Sequence, residues 1–369
     1  MRIVIVGASG NLGTALLRRL AGEPAVTAVT GVARRLPDRT VAPYADVDWV
    51  SCDVGSEASA AKLASIFSGA DVVVHLAWVI FGSHDEALQW RINVDGSRRV
   101  FIAARDAGVA HLVYASSVGV YAADYAAADN AAADGAPPVR RPESWPLTGV
   151  PSCMYSKQKA AVEALLDETT AGTPMVVTRL RPGLIFQSRA GAQIARYFLG
   201  PFVPTTLLRV AKLPVVPLPR GLRMQAVHAD DVADAYARVI LRRAAGAFNI
   251  AGEPILDTAA LAAAFGGRPL PVNPLVFRLA AAATWRARLQ PTEPGWIDLA
   301  MRSPLLATDR ARELLDWRPQ HPTTDALAEL IGGMGHGSGT PSPAMRPRDG
   351  AIGRLARLRS AVGGGHARG

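Results

Sequence analysis

The sequence predicts an α/β fold built on a doubly wound parallel sheet with a smaller, mixed C-terminal substrate domain and a disordered tail. Three observations predict it. Short β-branched runs alternate with helically spaced segments through the first half. A glycine-rich turn joins the first such pair. The chain has 369 residues, 49% of them hydrophobic and 19% charged, enough apolar content for a sizeable core and too little charge for global disorder.

The elements follow in order. Arg2–Val6 reads as a strand, and Asn11–Ala21 as a helix with Leu12, Leu16, Leu17 and Leu20 on one face. Strands are predicted at Val26–Val32, Val47–Cys52, Asp71–Leu76, His111–Ala115 and Met175–Arg181. Helices are predicted at Ala58–Phe67, Asp85–Ala107 and Ser152–Thr170. The second half is less regular. Gln225–His228 and Ala247–Ala251 read as strands; Asp230–Arg243, Thr258–Phe265, Leu275–Leu289 and Thr308–Leu315 read as helices. The expected division is a nucleotide-binding domain over 1–183 with about 225–252, and a substrate domain over about 184–224 and 253–332. Residues 333–369, rich in Gly, Ser, Pro and Arg, are expected to be disordered.

The net charge is +9. Residues 333–369 carry +5 and residues 188–224 carry +6, so the remainder carries −2. A near-neutral body argues against nucleic acid as a partner, and no aromatic platform interleaves with the arginines. The two cysteines cannot form a disulfide framework, and no Cys/His cluster has metal spacing. No secretory leader or spanning segment is recognised, and a cytoplasmic location is expected. Only four basic residues are lysine (Lys62, Lys157, Lys159 and Lys212), so a lysine retained against that arginine bias draws notice.

Gly7, Ala8, Ser9, Gly10, Asn11, Leu12 and Gly13 lie between the first strand and first helix. Glycines there permit a tight turn and let backbone N–H groups approach a pyrophosphate, while the helix start adds partial positive charge. After the second strand the chain runs into Arg34 and Arg35 rather than an acid. Guanidinium groups suit a 2′-phosphate, so NADP(H) is expected over NAD(H). Asp53 and Val54, after the third strand, are placed at the adenine; a plain turn aspartate is the alternative.

Tyr155 and Lys159 are four residues apart on a predicted helix and share a face. A phenol titrates near pH 10, and a neighbouring ammonium lowers that value. Ser117 follows the strand His111–Ala115, at the strand end where ligands sit, and can polarise a substrate oxygen; capping of the next turn is the alternative.

With the glycine loop, Ser117, Tyr155 and Lys159 in this order, the sequence resembles the extended short-chain dehydrogenase/reductases, the NAD-dependent epimerase/dehydratase family, over about residues 1–332. His75-Leu76-Ala77, Asn93-Val94-Asp95-Gly96-Ser97, Arg181-Pro182-Gly183, His228-Ala229-Asp230-Asp231-Val232-Ala233 and Leu315-Asp316-Trp317-Arg318-Pro319 match its further motifs, with Asp316 in place of a glycine. The resemblance implies a Rossmann-like sheet. It also implies Tyr155 as acid or base, Lys159 lowering its pKa and binding the nicotinamide ribose, Ser117 polarising the substrate, and Asn93 organising the site. Leu76 and Ala77 would pack against the cofactor, and Pro182 would lie near the nicotinamide. A homodimer formed through the Asp85–Ala107 and Ser152–Thr170 helices is implied as well. The family's 4,6-dehydratases carry an Asp-Glu pair where Val118 and Gly119 stand, which disfavours dehydration here.

Two further activities remain open: a nucleotide-sugar epimerase with transient oxidation, and a non-catalytic NADP-sensing regulator. The stretch Tyr197–Pro219 sets Phe198, Phe202, Leu207, Leu208, Val215 and Val216 beside Arg209, Lys212 and Arg220. It suits an anionic or apolar small-molecule substrate and is compatible with a peripheral membrane contact. Trp145 borders the site as a substrate contact or an anchor; His228 reads as structural and Cys153 as a bystander.

Overall fold

The alternation of strand and helix closes into a seven-stranded parallel sheet in the computed structural model, which describes residues 1–80, 85–125, 138–199, 205, 208 and 213–348. The strands are β1 (Arg2–Val6), β2 (Ala28–Ala33), β3 (Asp48–Ser51), β4 (Val72–His75), β5 (His111–Ala115), β6 (Val176–Pro182) and β7 (Gly246–Ile250). Their spatial order is β7-β6-β5-β4-β1-β2-β3, a Rossmann-like arrangement whose direction reverses between β1 and β4. Ligands sit at that reversal, outside the carboxyl ends of the strands.

Period-two alternation along β1 feeds two cores. Ile3 and Ile5 face one layer with α1 (Asn11–Leu20) and its neighbour Ala229–Arg242; Leu16, Leu17, Tyr236 and Trp317 fill it. Val4 and Val6 face the other, with α2 (Ser59–Phe67). Next come α3 (Glu86–Trp90) and α4 (Gly96–Asp106), and then α5 (Met154–Thr170), whose Val162, Leu165 and Leu166 close the second layer. β4 is buried along its whole length, as a central parallel strand must be.

The expected single helix Asp85–Ala107 is broken: Arg91–Asp95 forms a π-helical turn between α3 and α4. Such turns are frequent at functional sites. Helix α5 starts at Met154, two residues later than expected, because Cys153 is extended and forms the cap.

Much of the rest of the chain builds a third core over Phe186, Leu222, Leu256, Leu261, Leu327, Leu330 and Met334. Small strand pairs frame it: Leu184–Phe186 with Ala226–His228, and Val215–Pro219 with Arg268–Val272. A disordered tail was expected from Gly333. The chain instead stays helical from Thr323 to His336 and remains packed through residue 348. Two glycines explain the close helix docking. A Cβ on Gly333 would lie 2.2 Å from the Ser188 carbonyl oxygen, and one on Gly191 would lie 2.2 Å from Gly333. Residues 349–369 lie outside the described residues. No helix among the described residues is long and apolar enough to cross a membrane.

Candidate functional site

The turn from β1 into α1 is shaped by what glycine permits. Gly7 sits at φ +94°, and a Cβ there would lie 2.6 Å from the Ala77 nitrogen. Gly13 lets α1 touch the loop behind it, since its Cβ would lie 2.5 Å from the carbonyl oxygens of Gly7 and Ala8. Gly10 begins the helix with no side-chain cap, and no acid stands in the first turn. The first N–H groups of a helix lack internal partners and attract an anion. The loop therefore fits the pyrophosphate of a dinucleotide. Around it, Asn11 is held by Gln187 and Leu12 packs on the core. Leu76 N–H bonds Val6 O at 2.8 Å, which brings Leu76 and Ala77 to the loop.

Arg34 and Arg35 project into solvent just past β2, and neither makes an ion pair among the described residues. Asp53 spends one carboxylate oxygen on Gly55 N–H (3.0 Å), holding its own turn. Val54 is buried, and its carbonyl accepts from Arg99 at 3.1 Å. Pro182 ends β6 opposite Ile250.

Ser117, Tyr155 and Lys159 come together past the carboxyl end of β5. Ser117 Oγ accepts from Gly119 N–H at 3.1 Å and so caps the turn, and the same hydroxyl acts on the Tyr155 phenol. Burial pushes the Tyr155 hydroxyl up to about 12, and the Ser117 hydroxyl opposes this. Lys159 Nζ lies 2.7 Å from the Ala115 carbonyl oxygen and 3.5 Å above the Trp78 ring. Burial holds its pKa well below the usual lysine value, and Glu163 pulls the other way. Lys159 Nζ also lies 5.8 Å from the centre of the Tyr155 ring, and burial is the larger influence on the phenol of the free protein.

Asn93 lies in the π-helical turn, fully buried. Its amide pairs both ways with the Val79 backbone (2.8 and 3.1 Å) and donates to Gln158 at 2.8 Å. It thus ties the loop after β4 to α5 without touching Tyr155 through a hydrogen bond. His75, buried and bonded to Ser97, is driven down to about 3 by desolvation and stays neutral. Arg181 turns away from the site and forks onto Glu163 at 2.8 and 2.5 Å.

Two tryptophans beside the phenol, Trp78 and Trp296, have no place in the sequence reading, which put Phe198 in the substrate wall. Trp296 packs on Tyr155 with ring centroids 4.9 Å apart, Trp78 meets Tyr155 edge-on at 6.0 Å, and Phe198 meets Trp296 edge-on at 5.3 Å. Trp78 had a local signal, since it follows Leu76 and Ala77 directly. Trp296 had none. Its helix reaches α5 because Gly295 has no side chain: a Cβ there would lie 2.2 Å from Ser152 O.

Trp145 is an anchor, donating to Ala122 O and stacked under Arg141. His228 bonds Glu329 at 2.9 Å in a structural pairing. The Cys153 thiol is buried, pushed up to about 12, and inert. Of the expected substrate wall, Phe202, Leu207, Arg209 and Lys212 lie outside the described residues. Phe198 joins the aromatic group, Val216 is buried, and Val215 and Arg220 are exposed.

An uncharacterized protein of Mycobacterium tuberculosis is 37% identical over 117 residues, 32% of this chain but only 12% of that protein. Mouse 3 beta-hydroxysteroid dehydrogenase type 7 is 31% identical over 151 residues, 39% of this chain and 38% of that enzyme. The chain thus spans only a minor part of these relatives' length. The solved UDP-glucose 4-epimerase of Thermus thermophilus, in complex with NAD, superposes with a TM-score of 0.64 over 90% of this chain and 99% of that one, at 19% identity, which shows a shared fold. The model of the NAD dependent epimerase/dehydratase family matches residues 3–251, most of the chain. The chain belongs to the NAD dependent epimerase/dehydratase family.

Proposed function

We propose that the protein is an NAD(P)-dependent oxidoreductase acting on a hydroxyl or carbonyl of a small apolar molecule, with Tyr155 as acid and base. The observation that carries this reading is the meeting of Ser117, Tyr155 and Lys159 at the carboxyl edge of the sheet, beside a glycine loop open to a pyrophosphate. A nicotinamide dinucleotide bound there supplies or accepts the hydride. The chain's residues handle orientation and the proton. Ser117 holds the substrate oxygen against the phenol. Tyr155, protonated at neutral pH in the free protein, gives its proton to that oxygen in reduction and takes it back in oxidation. Lys159, fixed under the site by Ala115 O, supplies positive charge as the phenolate forms. Arg34 and Arg35, unpaired at the end of β2, favour NADP(H). Val118 and Gly119 after Ser117 offer no acid for an elimination, which speaks against a 4,6-dehydratase.

The aromatic group of Trp78, Trp296 and Phe198 favours an apolar substrate over a nucleotide sugar, whose diphosphate needs cations. Epimerisation with transient oxidation is the second reading, favoured by the likeness to UDP-glucose 4-epimerase. Tyr155→Phe decides between an enzyme and a nucleotide sensor. We expect turnover to fall by about 10²- to 10⁴-fold while NADPH affinity stays within about threefold. Unchanged turnover or biological output would overturn the enzyme reading. Denaturing the purified protein and identifying any released nucleotide tests the rest: stoichiometric NAD supports the epimerase, and an empty site preferring NADPH supports the reductase.

A further inference from the structure

We infer that the helix Pro274–Arg286, with the strand edge beside it, is a docking surface for an anionic lipid bilayer. The outward side of a helix on a folded protein ordinarily carries polar residues. Here, at 100° per residue, the outer half of the helix presents Leu275, Val276, Leu279, Ala280 and Ala283, all exposed. Leu275 is 63% exposed, Val276 56% and Leu279 55%. These fractions are large for apolar side chains, and Ala282 is the only residue of the helix that is buried. Leu289, just past its end, and Leu213, Val215 and Leu270, on and beside the ribbon of Val215–Pro219 and Arg268–Val272, are also exposed. A contiguous apolar surface rimmed by polar groups marks an interaction site.

Charge selects the occupant. From Arg268 to Leu289 the chain holds four arginines and no acid. Arg278 is spent on Asp298, with both contacts at 2.9 Å. Arg268, Arg286 and Arg288 are exposed. Arg286 falls on the same side as Leu275 and Leu279, one turn beyond the apolar stripe. An apolar stripe ending in unpaired guanidinium groups complements a bilayer interface: acyl chains accept the leucines and anionic headgroups the arginines. A second copy of this surface, with no acid between Arg268 and Leu289, would offer those arginines no counter-charge. The Arg278–Asp298 pair also ties this helix to Gly295–Arg302, which carries Trp296 onto Tyr155. The docked face thus lies one helix away from the aromatic group, consistent with an apolar substrate drawn from the membrane.

The test is flotation of the full chain with vesicles of phosphatidylcholine alone or with about 30% phosphatidylglycerol. We expect binding to the anionic vesicles, weakened by salt. Replacing Arg286 and Arg288 by Glu should weaken it about tenfold or more. The pair Leu275→Glu and Leu279→Glu should abolish it, with an unchanged melting temperature because both side chains are exposed. No binding to anionic vesicles overturns the inference. Binding that survives both Glu pairs overturns it too. A concentration-dependent dimer in sedimentation that the leucine pair dissolves, without vesicle binding, assigns the surface to a second copy and also overturns it. None of these outcomes depends on turnover, so failure here leaves the hydride-transfer reading standing, and loss of that reading leaves this one testable.

Discussion

Gly119 governs where the Tyr155 phenol can stand. A Cβ at this position would lie 2.8 Å from Tyr155 Cε1 and 3.2 Å from Cδ1. The ring has little room to give, because Trp296 and Trp78 pack on it. Gly119→Ala should therefore displace the phenol from Ser117 by a fraction of an ångström to an ångström. Misplacement of that size costs about 10²-fold in rate. Expected in steady-state kinetics is a loss in kcat of that order with NADPH binding intact; wild-type kcat would show that the phenol position is unimportant. At this scale the sequence was readable where chemistry demands a residue type. Tyr155, Lys159 and Ser117 do converge, because helical spacing and a strand end are local properties. The aromatic neighbours were readable only in part. Trp78 reaches Lys159 through the loop after β4, where its place after Leu76 and Ala77 is a local signal, and Trp296 reaches Tyr155 through a helix from the far end of the chain, with none. Asp316 is the converse case. It departs from the family's glycine yet adopts φ +51°, the left-handed conformation that glycine takes at lowest cost and that Asp tolerates.

Elements were read well where the hydrophobic period is strong and poorly where backbone or tertiary contact decides. Every strand of the main sheet was placed within two or three residues, since buried parallel strands advertise themselves as apolar runs. The π-helical turn at Arg91–Asp95 has no period of its own; it exists so that Asn93 can hold the Val79 backbone and Gln158 at once. The segment after His336 reads as disordered because its composition is Gly, Ser and Pro, yet long-range contacts order it. Ser342 donates to the Ser9 carbonyl at 2.8 Å, Thr340 accepts from Tyr44 at 2.9 Å, and Asp38 N–H reaches the Pro341 carbonyl at 2.8 Å. Met345 is fully buried, 3.7 Å from the Thr14 hydroxyl. This strap joins the glycine loop to the segment after β2. Met345→Ala leaves a cavity there and should cost about 2–5 kcal/mol in urea unfolding. A loss below about 0.5 kcal/mol, the scale of a surface substitution, would mean that the strap is not packed in solution.

At the scale of the whole molecule, one sheet carries titratable groups through its centre, and this sets the acid limit of the fold. His75 ends β4 and His111 begins β5; both are buried, bonded to Ser97 and Thr178 respectively. Desolvation drives His75 down to about 3 and His111 down to about 4, the latter helped by the Arg243 charge. In the unfolded chain both titrate near 6.5. Between about pH 4 and 6.5 the unfolded state therefore binds more protons than the folded one, and stability falls as the pH falls. At pH 5 each histidine should have withdrawn about 2 kcal/mol relative to pH 8. Two such losses are a large share of the roughly 5–15 kcal/mol that holds a domain together. Urea midpoints measured from pH 8 to pH 5 should fall steeply below 6.5. His111→Asn, which keeps a polar partner for Thr178, should be less stable at pH 8 and should flatten the pH dependence by about half. A wild-type midpoint that is flat from pH 6.5 to 5, or a variant with the wild-type slope, would show that these imidazoles already share their protons with solvent in the folded state, and the sheet between β4 and β5 would then be open to water rather than sealed.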